Sequence, residues 1–142
     1  MIADPLVVDA SVWVAAADAT DPACTASRSF LRHAGARGRT IILPAYARIE
    51  IACALARRLG DSGAGLGLAG EIMQAPQVRV EALSAGLIAE AARLGTAAFL
   101  RAGDALYAAV AQRHSATLVA WDAELVSRAG AIAPDSWLER QA

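Results

Sequence analysis

The sequence predicts an α/β protein: a central parallel sheet covered by helices on both faces, in a three-layer α/β/α sandwich. Three observations carry that expectation. Short apolar runs rich in β-branched residues recur at Leu6–Val8, Thr40–Leu43, Val78–Val80 and Thr117–Ala120. Helical spacing follows each of them, as expected when parallel strands are joined by crossovers rather than hairpins. Hydrophobic residues make up 56% of the chain but aromatics only 5%, so the core is drawn mainly from Ala, Leu, Val and Ile, which suits helices packed closely on a sheet. At 142 residues the chain is the size of one ordinary domain, and residues 1–142 are read as one.

The first strand, Leu6-Val7-Val8, stops on Asp9, and a short helix is expected from Ser11 to Ala17. Asp21-Pro22 is a helix start signal, with the acid as cap and proline in the first turn, and that helix should run to about His33. Gly35 and Gly38 end it, and Thr40–Leu43 forms a second strand closed by Pro44. From Ala45 a helix is expected, with Tyr46, Ile49, Cys53 and Ala56 along its apolar stripe, Arg57 and Arg58 at its C-terminus, and Gly60 as its stop. The glycines from Gly63 to Gly70 suggest a loop and a loosely packed helix start. Val78–Val80 is the third strand, Ser84–Leu94 a helix, and Gly103–Ala111 a buried helix opening on an acid. Thr117–Ala120 repeats the first pattern, an apolar strand leading to Asp122 and a helix, and Ala131–Ala133 is read as a last short strand.

Composition removes several function classes. No apolar run approaches the ~18 residues of a membrane span, and Asp4 stands where a signal peptide would carry basic residues, so a soluble cytoplasmic protein is expected. Cys24 and Cys53 are too few for a disulfide framework or zinc site and read as small buried hydrophobes, while His33 and His114 add no ligand spacing. The formal net charge of -1 gives no general nucleic-acid signature. All 13 basic residues are Arg, four of them clustered at Arg28, Arg32, Arg37 and Arg39. Gly65-Leu66-Gly67-Leu68-Ala69-Gly70 matches the dinucleotide fingerprint G-x-G-x-x-G, but a helix precedes it where the fingerprint requires a strand.

The residues that carry chemistry are acids in apolar surroundings: Asp9, Glu50, Asp104 and Asp122. The plainer readings are that the three Asp residues cap helices and that Glu50 pairs with Arg48 or a distant Arg. Four such acids in one chain point further, because buried carboxylates are costly unless paired with cations. In an open α/β sheet, ligands bind at the carboxyl ends of the strands. If the first and fourth strands are neighbours, Asp9 and Asp122 meet there, and the helices bearing Glu50 and Asp104 need only point the same way. Oxygen ligands without His or Cys suit Mg²⁺ or Mn²⁺ rather than zinc. Such an ion activates water and stabilises charge on a phosphate under attack, so the set suggests phosphodiester hydrolysis. Arg48, Arg101 and the Arg28–Arg39 cluster are candidates to hold the phosphate backbone.

Taken in order, VVDASVWV, RIEIACAL, GDALYAAVA and LVAWDAEL resemble the PIN-domain family, in particular the VapC-type ribonuclease toxins of toxin–antitoxin pairs. The resemblance covers nearly the whole chain. It implies Mg²⁺- or Mn²⁺-dependent cleavage of RNA, frequent homodimers, and inhibition by an antitoxin bound near the active site. It places Asp9, Glu50 and Asp104 on the three principal acids, Asp122 on a more variable fourth, and Ser11 on a hydroxyl position that orients the first acid. The family commonly has Ser or Thr two residues before the fourth acid; this chain has Ala120. Asp135 is a substitute for Asp122, and Asp122 is preferred.

Rival classes are weighed on the same residues. A phosphorelay receiver or a P-loop enzyme needs a lysine, and the chain has none. A haloacid-dehalogenase-type phosphatase needs a second Asp where Ser11 stands. The remaining alternative is a non-catalytic PIN-like module that binds RNA or a protein without cutting it, and a degraded acid set would mark it.

Overall fold

The computed structural model describes residues 3–142. Four strands, β1 (Leu6–Val8), β2 (Ile41–Pro44), β3 (Val78–Glu81) and β4 (Thr117–Val119), form one sheet in the order β3-β2-β1-β4 with every pairing parallel. The strands alternate with α1 (Ala10–Ala17), α2 (Cys24–Ala36), α3 (Ala47–Leu59), α4 (Ser62–Met73), α5 (Ala85–Ala98), α6 (Ala102–Arg113), α7 (Ala123–Ala129) and α8 (Pro134–Arg140). Helix α6 packs against β1, β2 and β4 and carries α5, while α1 packs with both α2 and α3. The expected α/β/α sandwich is present.

Strand β1 is central and fully buried, with Leu6 beside Ile41 on one side and Thr117 on the other. The β1 and β4 registers keep step through Val8 and Val119, and the Asp9 N–H then donates to the Val119 carbonyl at 2.9 Å. Buried apolar strands therefore deliver Asp9 and Asp122 to the same edge. The Trp13 indole N–H donates to the Val8 carbonyl at 3.2 Å, satisfying a buried acceptor at the end of the strand.

Four details differ from the sequence expectation. The apolar stripe of α3 is Ala47, Ile51 and Leu55; Ile49 is 62% exposed and Cys53 is exposed too, whereas Cys24 is buried as expected. Both stripes have helical spacing, and residues 49–56 are apolar but for Glu50, so periodicity did not select the face. Gly63–Gly70 is not a loop but the body of α4, capped by Asp61, whose carboxylate accepts from the Ala64 N–H at 3.0 Å. The glycines serve close packing: a Cβ on Gly65 would lie 2.5 Å from the Ala52 carbonyl oxygen of α3. Helix α2 starts at Cys24, after a turn in which Asp21 accepts from the Ala23 N–H at 2.7 Å, and runs on to Ala36. Ala131–Ala133 makes only one bridge, Ile132 to Val119, in place of a strand.

Candidate active site

At the carboxyl ends of β1 and β4 lies a cleft of about 530 Å³ lined by Asp9, Ser11, Tyr46, Glu50, Arg101, Gly103, Asp104 and Asp122, with Arg58 at its wall. All four acids expected from the sequence face it. A larger cavity of about 840 Å³, lined by residues including Leu118, Arg128 and Arg140, has no acidic side chain in its wall. Chemistry, rather than size, marks the site.

Asp9 and Asp122 hold helix starts and face the cleft at once. Asp9 N-caps α1, its Oδ2 accepting from the Ser11 N–H at 3.1 Å, and is 5% exposed. Asp122 N-caps α7 through Oδ1, which accepts from the N–H groups of Glu124 and Leu125 at 2.9 and 3.1 Å. Its Oδ2 accepts from Arg101 Nη2 at 2.9 Å. The capping reading thus holds for both, and at Asp122 it uses one oxygen while the other takes the Arg101 guanidinium. Asp104 does not cap its helix: Arg101 occupies that position, and Asp104 stands in the first turn of α6, where the helix dipole favours an anion. Glu50 comes from the first turn of α3 and is fixed across the cleft by Tyr107, whose hydroxyl donates to Oε1 at 2.8 Å. Gly103 lets the helices close on this acid, since a Cβ there would lie 3.3 Å from Glu50 Oε2.

Burial raises the carboxyl pKa of Asp9, Glu50 and Asp104 above the usual range. Neighbouring charge adds to each: Asp122 acts on Asp9, Asp9 and Asp104 on Glu50, and Asp122 and Asp9 on Asp104. The Ser11 hydroxyl and N–H pull Asp9 the other way. Tyr107 is pushed well above its ordinary value by burial and the Glu50 charge, so it stays a hydrogen-bond donor.

Asp104, Asp122 and Glu124 place carboxylate oxygens within 4.8 Å of one another. Glu124 was not singled out from the sequence; its signal is the second acid in WDAEL, two residues past Asp122 in the first turn of α7. Asp9 and Glu50 line the same cleft outside that trio. Arg101 touches all three of its members, with Nε 3.4 Å from Asp104 and 3.9 Å from Glu124. Arg58 is engaged elsewhere, by Asp18 at 3.2 Å and Asp21 at 2.6 Å. Four carboxylates line the cleft, Glu124 stands beside two of them, and only the Arg101 guanidinium is paired to this group, a set of hard oxygen donors with excess negative charge that fits a divalent cation such as Mg²⁺ or Mn²⁺.

Other expected contributors lie elsewhere. Arg28 donates to the Ala16 carbonyl, Arg39 to that of Asp4, and Arg48 is exposed outside the cleft. Asp135 is exposed on α8, its carboxylate accepting from the Ser136 N–H. Ala120 is fully buried, and the segment before Asp122 is fastened by its neighbour instead. The Trp121 N–H donates to Ser11 Oγ at 3.1 Å, and its indole N–H donates to the buried Ser27 Oγ at 2.8 Å.

This sheet, with acids gathered where β1 and β4 end, is the arrangement of a PIN domain. The model of the PIN domain family matches residues 6–131, and the chain belongs to that family. Among solved structures, VapC20 of Mycobacterium tuberculosis, a toxin that cleaves the sarcin–ricin loop, superposes with a TM-score of 0.77 at 21% identity, over 89% of this chain and 96% of that one. PAE2754 of Pyrobaculum aerophilum gives 0.70 at 25% identity, over 96% and 88%. VapBC2 of Rickettsia felis, solved bound to a DNA fragment from its promoter, gives 0.66 at 16% identity, over 90% and 96%. No curated protein matches the chain by sequence.

Proposed function

We propose that this chain is a Mg²⁺- or Mn²⁺-dependent endoribonuclease, the toxin of a type II toxin–antitoxin pair. The observation that carries the reading is the imbalance of four cleft carboxylates, with Glu124 beside two of them, against the one guanidinium paired to them, at the carboxyl ends of the central strands of a PIN fold. Asp9 and Asp104 hold the cation, with Glu50 and Asp122 completing the set; Glu124 lies within reach of the same oxygens. When bound, the cation polarises the phosphodiester and lowers the pKa of a water. Ser11 orients Asp9 and Tyr107 orients Glu50, so two acids enter the reaction already positioned. A bound divalent cation would offset the burial that raises the carboxyl pKa of Asp9, Glu50 and Asp104 and hold them ionised as ligands. The sarcin–ricin loop cleaved by VapC20 favours structured RNA as the substrate class.

The partner is a cognate antitoxin, in keeping with the VapBC2 assembly, and the working form is a cytoplasmic homodimer, as is frequent in this family. No helix among the described residues is long and apolar enough to cross a membrane.

The test is cleavage of total cellular RNA by purified chain freed of any partner, in Mg²⁺, Mn²⁺ and EDTA. Wild type cuts only with metal, and Asp9→Asn, which keeps the helix cap, loses at least about 10²-fold in rate. Full activity in Asp9→Asn or in EDTA would overturn the assignment. Absence of both cleavage and metal binding would favour the non-catalytic module.

A further inference from the structure

Arg101 stands out by where its charge is spent. It follows α5 through Phe99 and Leu100 and N-caps α6 without a side-chain capping bond, so helical packing fixes its backbone and leaves its side chain alone. That side chain is 71% exposed, yet it reaches three carboxylates: Asp122 at 2.9 Å, Asp104 at 3.4 Å and Glu124 at 3.9 Å. Those are the same three acids whose oxygens lie close enough to share one cation.

An ion pair this exposed contributes little to the fold, because water screens it and a long side chain must be ordered to form it. The acids gain more from it. Asp104 is buried, and Asp122 and Asp9 both add repulsion to it; the Arg101 charge is what relieves it. Arg101 is therefore weakly held by the scaffold and strongly attracted by the cluster, the properties of a counter-ion rather than of a structural strut.

We propose that the Arg101 guanidinium is a built-in, displaceable counter-ion of the Asp104–Asp122–Glu124 cluster, neutralising it in the metal-free protein and yielding its place when a divalent cation enters. This rests on the reading that the cleft takes such a cation. The guanidinium thereby sets the affinity for metal: the cation must compete with a resident positive charge, so the cleft loads at a higher concentration than it would without Arg101. Once released, the side chain stands beside the metal site with its donors free, where a phosphate of the substrate can take them bidentately.

The experiment uses the full chain, ¹⁵N-labelled, and follows the Arg101 Nε–H signal, assigned by its loss in Arg101→Gln, while Mg²⁺ is added. In parallel, Mn²⁺ affinity is measured by calorimetry for wild type, Arg101→Gln and the exposed control Arg93→Gln. The expected result is an Arg101 signal that is protected from solvent exchange without metal and exchanges rapidly once Mg²⁺ saturates. Arg101→Gln should bind Mn²⁺ about tenfold more tightly, from loss of one unit charge a few ångströms away, and Arg93→Gln should match wild type. Metal binding with an unmoved Arg101 signal, or with equal affinity in Arg101→Gln, overturns the proposal and leaves the nuclease reading standing. If no chain binds Mn²⁺, the metal-dependent reading falls, and this proposal with it.

Discussion

The Tyr107 hydroxyl, carried on α6, donates a 2.8 Å hydrogen bond to Glu50 Oε1, carried on α3. It joins two helices far apart in sequence through one cleft acid, and Tyr107 itself is fully buried. Removing the hydroxyl with Tyr107→Phe takes away a bond that favours the charged form of Glu50, at a cost of roughly 1–3 kcal/mol in stability. Because that bond holds the Glu50 pKa down, its loss raises the pKa further. The metal-dependent rate, plotted against pH, should then climb at a higher pH than in wild type; an unmoved profile would separate Glu50 from the reaction.

The raised carboxyl pKa values predict how metal-free protein responds to pH. A carboxyl that binds its proton more tightly folded than unfolded adds stability when protonated and loses that contribution as pH rises through its folded pKa. Asp9, Glu50 and Asp104 act this way, above the ordinary carboxylate range of roughly 4. Asp18 and Asp21, lowered chiefly by hydrogen bonds to Thr20 and Arg58 respectively, act oppositely and weaken the fold as pH falls below that range. Melting temperature in EDTA should therefore fall from mildly acid to neutral pH. Asp9→Asn should flatten that fall and melt a few degrees above wild type at neutral pH, and saturating Mn²⁺ should bring wild type back up.

The close approach of α3 and α4 gives a prediction independent of the site. The obstacle to a Cβ on Gly65 is a backbone carbonyl at 2.5 Å, which has no rotamer through which to give way. Gly65→Ala should destabilise the fold by roughly 1–3 kcal/mol despite alanine's better helix propensity. Gly67→Ala on the same helix, which meets nothing within 4 Å, should be neutral or stabilising. Denaturant midpoints of the two variants decide it.

Trp121→Phe should cost roughly 1–3 kcal/mol, because it leaves the fully buried Ser27 hydroxyl without its indole donor. It should also weaken Mn²⁺ binding, since the lost indole bond to Ser27 leaves the residue before Asp122 fastened only by its backbone bond to Ser11. Calorimetry on folded Trp121→Phe checks this, and unchanged metal affinity would confine Trp121 to the core.

The site was legible where its signal was local. An apolar strand stopping on a carboxylate marked Asp9 and Asp122, and an acid opening an apolar helix marked Asp104. Pairing of β1 with β4, conditional in the sequence, is what brings the first two together. The buried face of α3 was not legible, because Ile49-Cys53-Ala56 and Ala47-Ile51-Leu55 have equivalent helical spacing and only packing against α1 and α4 chooses between them. The α4 glycines misled for a related reason: glycine reads as a breaker until a neighbouring helix is seen to need the space. Tyr107 and Glu124 escaped because their parts depend on what lies across the cleft. Arg101, a candidate to hold phosphate, rests on the acids in this structure, a contact that depends on β4 and α7 coming up beside the start of α6.

The outer rim of a sheet offers unpaired N–H and C=O groups to any chain that can lie beside it. Here the β4 rim is satisfied from within: Ile132 donates its N–H to the Leu118 carbonyl and accepts from the Ala120 N–H. The next segment is pinned by Trp137, buried edge-on against Phe30 with ring centroids 5.1 Å apart. A polypeptide extending the sheet would have to peel this strap away before reaching the strand next to the acids. Strand addition is therefore directed to β3, at the far side of the sheet, and a partner approaching the acidic mouth must do so through side chains or a helix.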